Sequence, residues 1–143
     1  MDEMSAQHKD LRAILKKSGA SLTKSRLAVF DLLLGQEAQS MQVLVKRGQG
    51  KTDRATLSRT IELFERLGIV SRLNIGWKYK IELSEMFAGH HHHFYCTKCG
   101  RTYTLPANQM LETMISSVAS KEGLSPRGHV LEVHGLCSAC QSA

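Results

Sequence analysis

Four cysteines and a run of histidines are the residues of this 143-residue chain best suited to chemistry. Cys96-Thr-Lys-Cys99 and Cys137-Ser-Ala-Cys140 are Cys-x-x-Cys knuckles about forty residues apart, and between them they use every cysteine present. Each knuckle offers two thiolates at the bite of a tetrahedral cation. The pair can therefore complete one four-thiolate zinc site with Zn–S distances of about 2.3 Å. His90, His91, His92 and His93 run directly into the first knuckle. A zinc holding four thiolates has no vacant corner, so these imidazoles are surplus to it. In a strand, period-2 alternation sends His91, His93 and Tyr95 to one face and His90, His92 and Phe94 to the other. Imidazole binds zinc, iron, nickel and copper and titrates near neutrality, which suits reversible loading. The competing reading is a solvated polar run.

One further motif fails on inspection. Gly50-Lys51-Thr52 has the ending of a phosphate-binding loop, but the pattern needs a glycine where Val45 stands and a buried strand ahead of it. A turn between helices is expected there, and no nucleotide site.

The elements that must position these residues follow from periodicity. A helix is expected over His8 to Ser18, with Leu11, Ile14 and Leu15 on one face, and is stopped by Gly19. Thr23 caps a second helix (Leu27, Phe30 and Leu34), and Ser40 caps a short third (Met41, Leu44 and Val45). Asp53 caps a fourth, Arg54 to Leu67, whose Leu57, Ile61 and Phe64 face inward. Two strands follow, Val70 to Asn74 and Trp77 to Leu83, with Trp77, Tyr79 and Ile81 alternating against Lys78, Lys80 and Glu82. Helices followed by a hairpin read as a winged helix-turn-helix with its fourth helix in the major groove. Candidate DNA contacts are Lys17, Arg54, Thr56, Ser58, Arg59, Lys78 and Lys80. Beyond Ser84 to Gly89, Phe94-Tyr95 and Thr102 to Leu105 are expected strands. Asn108 to Glu122 is an amphipathic helix striped by Leu111, Met114, Ile115 and Val118, and His129 to His134 is a last strand. The fold class is thus α+β. Residues 1–83 form a winged-helix DNA-binding domain, 84–89 a hinge, and 90–143 a second domain holding the metal ligands.

Composition narrows the partners. Net charge is +6, and residues 1–88 carry 15 Lys+Arg against 10 Asp+Glu, so the basic excess lies where a polyanion is expected. No apolar run reaches membrane-spanning length, and Met1-Asp-Glu-Met-Ser lacks a basic-then-apolar leader. The expectation is a cytoplasmic protein with no membrane partner. Reduced thiols there favour zinc over disulfides.

Taken in order, the pieces resemble the ferric uptake regulator family of metal-dependent transcription factors. The likeness rests on Leu22-Thr-Lys-Ser-Arg26, Asp53-Arg-Ala-Thr-Leu-Ser-Arg-Thr60, Gly68-Ile-Val70, His91-His-His-Phe-Tyr-Cys-Thr-Lys-Cys-Gly100, Gly128-His129 and His134-Gly-Leu-Cys-Ser-Ala-Cys140. It implies a homodimer that binds double-stranded DNA, with a C-terminal dimerisation domain and one structural zinc (Zn2+) per chain on the four cysteines. It further implies regulatory sites for Zn2+ or Fe2+. Glu82, His91 and His93 match a hinge site, and His90, His92 and His129 match a second site whose helix carboxylate falls at Leu111, leaving Glu112 one residue out of register. Ala38 and Thr104 stand where the hinge site usually draws a histidine and a carboxylate, and Ser58 replaces the usual recognition-helix tyrosine. The function implied is a metal-responsive repressor of metal-homeostasis genes, with no catalytic residues. The alternatives are a zinc hydrolase with an open histidine site and a winged-helix protein whose zinc is only structural.

Overall fold

Thr23, Ser40 and Asp53 each stand just ahead of a helix, and each accepts a hydrogen bond from the backbone N–H three residues on, at Arg26, Val43 and Thr56. Side-chain oxygens there satisfy N–H groups that no intrahelical carbonyl can reach, which sets where the helices begin. The computed structural model describes residues 2–142, with side chains from Ala6 onward. Met1 and the side chains of residues 2–5, read above for a leader, lie outside the described residues. The chain divides into two units, Met1–Gly89 and His90–Ala143.

The first unit contains α1 (Asp2–Lys17), α2 (Lys24–Leu33), α3 (Met41–Arg47), α4 (Arg54–Arg66), β1 (Val70–Ile75), β2 (Lys78–Leu83) and α5 (Glu85–Ala88). Leu11 and Leu15 of α1 join Phe30, Leu44, Leu57 and Phe64 in a core with no exposure at any of them. Each such side chain contributes about 1.5–3 kcal/mol on burial, so this unit carries a core of its own. β1 and β2 pair antiparallel from Val70↔Leu83 to Ile75↔Lys78, and Gln39 adds a one-residue bridge to Ile81. This is the winged helix-turn-helix, with α4 the helix expected to enter the major groove.

Two details differ from the sequence expectation. Trp77, expected to open the second strand, sits with Gly76 in the hairpin turn and is 95% exposed. Gly76 has φ +62°, a left-handed conformation in which a side chain is strained. Glu82, which falls with the lysines in the sequence alternation, is buried, as are its neighbours Ile81 and Leu83. The hairpin is enclosed at its base and open at its tip, so alternation fails at both ends. The Ser84–Gly89 segment carries the helical turn α5, and its Phe87 meets Phe30 edge-on with ring centroids 5.0 Å apart.

The second unit contains β3 (His91–Cys96), β4 (Thr102–Pro106), α6 (Gln109–Lys121), β5 (Glu132–Gly135) and α7 (Ser138–Gln141). Its sheet order is β4-β3-β5, with β3 antiparallel to β4 and parallel to β5. The last strand is shorter than its alternation suggests and leaves His129 in the irregular segment before it. Gly135 faces Phe94, whose Cζ would lie 3.3 Å from an added Cβ, so the two strands close tightly beside the first knuckle. The apolar stripe on α6, which as an amphipathic pattern should have a packed face, contains no buried residue: Met114 is 58% and Val118 61% exposed. Among the described residues no helix is long and apolar enough to cross a membrane.

Candidate metal centres and nucleic-acid face

β3 delivers Cys96 to the end of the central strand, the turn after it presents Cys99, and α7 opens on Cys137 and carries Cys140. All four sulfurs lie within 4.8 Å of one another. Cys99 Sγ and Cys137 Sγ are 3.8 Å apart, the edge of a tetrahedron whose thiolates sit about 2.3 Å from a central zinc. The backbone N–H groups of Cys99 and Cys137 donate to Cys96 Sγ at 3.5 and 3.4 Å. They hold its pKa down to about 6, whereas the neighbouring Cys137 sulfur, together with burial, pushes Cys140 up to about 12. Thiolates packed this closely repel one another, so all four sulfurs ionise together only around a cation. The residues fit zinc. Sequence reasoning missed Tyr103 of β4, whose hydroxyl bonds Cys137 and lowers that thiol's pKa, and Arg101 beside it. Nothing in their spacing signalled this, since it depends on β4 folding back along β3.

A second constellation forms where His90 and His92 meet α6. His92 is buried, and its Nε2 lies 2.5 Å from Glu112 Oε1. His90 Nε2 lies 3.1 Å and His129 Nε2 2.8 Å from Glu112 Oε2. The three rings pack with centroids 4.9 to 5.2 Å apart. His129 Nε2 is buried and makes no hydrogen bond despite its closeness to Glu112, so it meets the carboxylate away from any N–H direction. An imidazole nitrogen's N–H or lone pair takes the same in-plane direction, and here it passes beside the carboxylate oxygen, as between two ligands of one cation. The His92 hydrogen bond lowers the pKa of Glu112, as do the charges of His129 and His90, against the effect of burial. Three imidazoles and one carboxylate fit Zn2+ or Fe2+. Asn108 caps α6 through the N–H groups of Met110 and Leu111, and that start turns Glu112 rather than Leu111 to the histidines.

His91 and His93 share the opposite face of β3, with ring centroids 4.8 Å apart, and Thr104 stands across from His93 in the β3–β4 ladder. Glu82 lies in the first unit, buried near the end of β2.

On α4, Arg54 and Ser58 line a recess of about 310 Å³ together with Met41, Gln42 and Val45 of α3 and Tyr79 of β2. Arg59 is exposed on the same helix. Thr56 is engaged in the cap, donating its hydroxyl to Asp53 Oδ2 at 2.7 Å. Arg72 of β1 stacks 4.0 Å over the Tyr79 ring and bonds Glu65 of α4 at 2.9 Å, tying the wing to the recognition helix. Lys17 ends α1, Lys78 is exposed at the start of β2, and Lys80 is half-buried along it. Gln42 and Tyr79 were not read as part of this face. The alternation set Tyr79 apart from the lysines, but only the recess formed by α3, α4 and the wing shows what it borders.

The sequence pattern of the ferric uptake regulator family matches residues 17–134. The ferric uptake regulation protein of Synechococcus elongatus is 30% identical over 138 residues, 92% of each chain. The solved structure of the Helicobacter pylori ferric uptake regulator, described as having three functional metal-binding sites, superposes with a TM-score of 0.81. It does so at 21% identity, over 97% of this chain and 94% of that one. A zinc uptake regulator complexed with zinc and DNA superposes with a TM-score of 0.62 at 26% identity, covering 99% and 95% of the two chains.

Proposed function

Because the chain belongs to the ferric uptake regulator family, we propose that it is a metal-responsive, DNA-binding transcription regulator that represses metal-homeostasis genes. The observation that carries the metal response is the convergence of His90, His92 and His129 Nε2 on Glu112, a donor set separate from the four thiolates. In this reading Cys96, Cys99, Cys137 and Cys140 hold a permanent zinc, because four thiolates bind too tightly for sensing. The imidazole-rich sets, which must compete with protons near neutrality, exchange Zn2+ or Fe2+. His91 and His93, with Glu82 as the family likeness implies, form the further regulatory ligand set.

The reading assigns two chains to the working unit. The uncovered stripe of α6 supports this, since a sheet with one helix leaves that face to water in a single chain. Duplex DNA is the partner of α4, with the relative solved on zinc and DNA as its support. No catalytic step is assigned, because three imidazoles and a carboxylate fill four tetrahedral corners and leave none for an activated water. The cytoplasm, where DNA and exchangeable metal meet, is the proposed location.

The test is metal content of untagged protein, followed by DNA selection and binding with Zn2+ or Fe2+ restored. Tight binding to a selected duplex only with metal supports the reading. Equal binding with and without metal leaves a winged-helix protein with structural zinc.

A further inference from the structure

The sequence contains a single tryptophan, and it is spent on the tip of the wing, 95% exposed. An indole buries more apolar area than almost any other side chain, so leaving it in water forgoes that gain until something covers it. Its surroundings describe the cover. Tyr79 borders the recess shared with Arg54 and Ser58 near the N-terminal end of α4, the end from which such a helix reads bases. Trp77 lies two residues before Tyr79, nearer the tip, in the hairpin turn itself. Lys78 follows it, exposed, and the hairpin Val70–Leu83 carries Arg72, Lys78 and Lys80 against one acid, Glu82, which is buried at the base. The tip itself therefore sets an exposed indole beside an exposed cation, Lys78, on a hairpin of basic excess. The indole N–H can only donate, which suits a partner offering phosphates and the minor-groove acceptors of adenine and thymine.

We propose that Trp77 is a DNA-contacting residue. It packs its indole against the sugar and base edges of the minor groove flanking the major groove that α4 occupies, while Lys78 meets the adjacent phosphate. The inference rests on the regulator reading above. It adds a contact that depends on an aromatic surface rather than on charge alone, so part of the affinity survives at salt concentrations that erase phosphate contacts.

The sole tryptophan makes the test direct. A fluorescein-labelled duplex, selected by the zinc-loaded full chain from a random pool, is titrated while DNA anisotropy and protein tryptophan emission are followed together. The proposal expects emission to change in step with anisotropy, Trp77→Ala to weaken binding roughly tenfold, and Trp77→Phe to recover most of it. It further expects the Trp77→Ala deficit to persist as salt is raised, whereas a Lys78→Ala deficit shrinks. Because the side chain is exposed, melting temperature and sedimentation should match wild type for both Trp77 variants. Saturating anisotropy with unchanged emission and full affinity of Trp77→Ala overturns the proposal and leaves the regulator reading intact. A shift in sedimentation with Trp77→Ala overturns it in favour of contact between copies of this chain. Failure to select any duplex defeats the regulator reading itself.

Discussion

Glu112 Oε2 stands 2.8 Å from His129 Nε2, and that buried nitrogen makes no hydrogen bond. The two atoms are close enough to share a cation, and His90 and His92 offer the further ligands in the proposed set. Replacing His90 and His129 together by alanine should remove one exchangeable metal per chain. The four-cysteine zinc should stay, measured by elemental analysis after dialysis against a weak chelator. An unchanged metal count would show that these residues form only a hydrogen-bonded cluster.

The four sulfurs close a loop from β3 to α7, and apparent binding energies of about 10–16 kcal/mol are typical for such zinc. Among the described residues of the second unit only His92, Thr102, Cys96 and Cys137 are buried. Cys96→Ser should therefore abolish its cooperative unfolding and dissociate the dimer, while the first unit, with its own core, still melts. Calorimetry and sedimentation check this. Wild-type behaviour in both would mean that the zinc is dispensable.

Asp53 caps α4 through the Thr56 N–H and hydroxyl, which hold its carboxyl below the ordinary 3.8, with help from Arg59. A depressed native pKa gives stability that is complete above the unfolded value and lost as pH falls through the native one. Melting of the wild type should thus worsen below about pH 4, and Asp53→Asn, which keeps a cap but cannot titrate, should flatten that part of the profile. Asp53→Ala should lower the melting temperature at neutral pH by roughly 5 °C. Parallel acid profiles for wild type and Asp53→Asn would rule the cap out.

These sites differ in how far a one-dimensional reading reached them. The caps at Thr23, Ser40 and Asp53 and the cysteine knuckles were legible because their chemistry is decided within three residues. The placing of Glu112 was not. One step along a helix turns a side chain by about 100°, and only the Asn108 cap and the seating of α6 decide which of Leu111 and Glu112 meets the histidines. Trp77 was read as a strand residue because alternation does not show where a hairpin turn falls. The α6 stripe looked like a packed face because periodicity cannot distinguish a face packed inside the chain from one awaiting a second copy.

Arg59 is exposed on the recognition helix, whereas Lys17 and Lys78 lie on the helix and hairpin around it. A guanidinium in the major groove reads guanine, worth about 1–3 kcal/mol, but a lysine on phosphate is indifferent to sequence. Arg59→Ala should cost far more affinity on a selected duplex than on random DNA. Lys17→Ala should cost both equally and reduce the salt slope by about one. Equal losses for Arg59→Ala would demote it to a backbone contact.

His91 and His93 face away from the Glu112 cluster on β3, so the two sets can be separated by mutation. A ligand shifts a conformational equilibrium only by its difference in affinity between states, about 5.5 kcal/mol for a swing from 1:99 to 99:1. Metal–imidazole bonds are strong enough to supply this, and protons compete for the same nitrogens. Metal stimulation of DNA binding should therefore decline as pH falls below about 6.5. His91→Ala with His93→Ala should retain the four-cysteine zinc and the fold yet lose most of that stimulation in anisotropy titrations with Zn2+. A double variant that responds fully would transfer the switch to His90, His92, Glu112 and His129. The pH midpoint of stimulation, followed in each double variant, would then be expected to move only when the second set is altered.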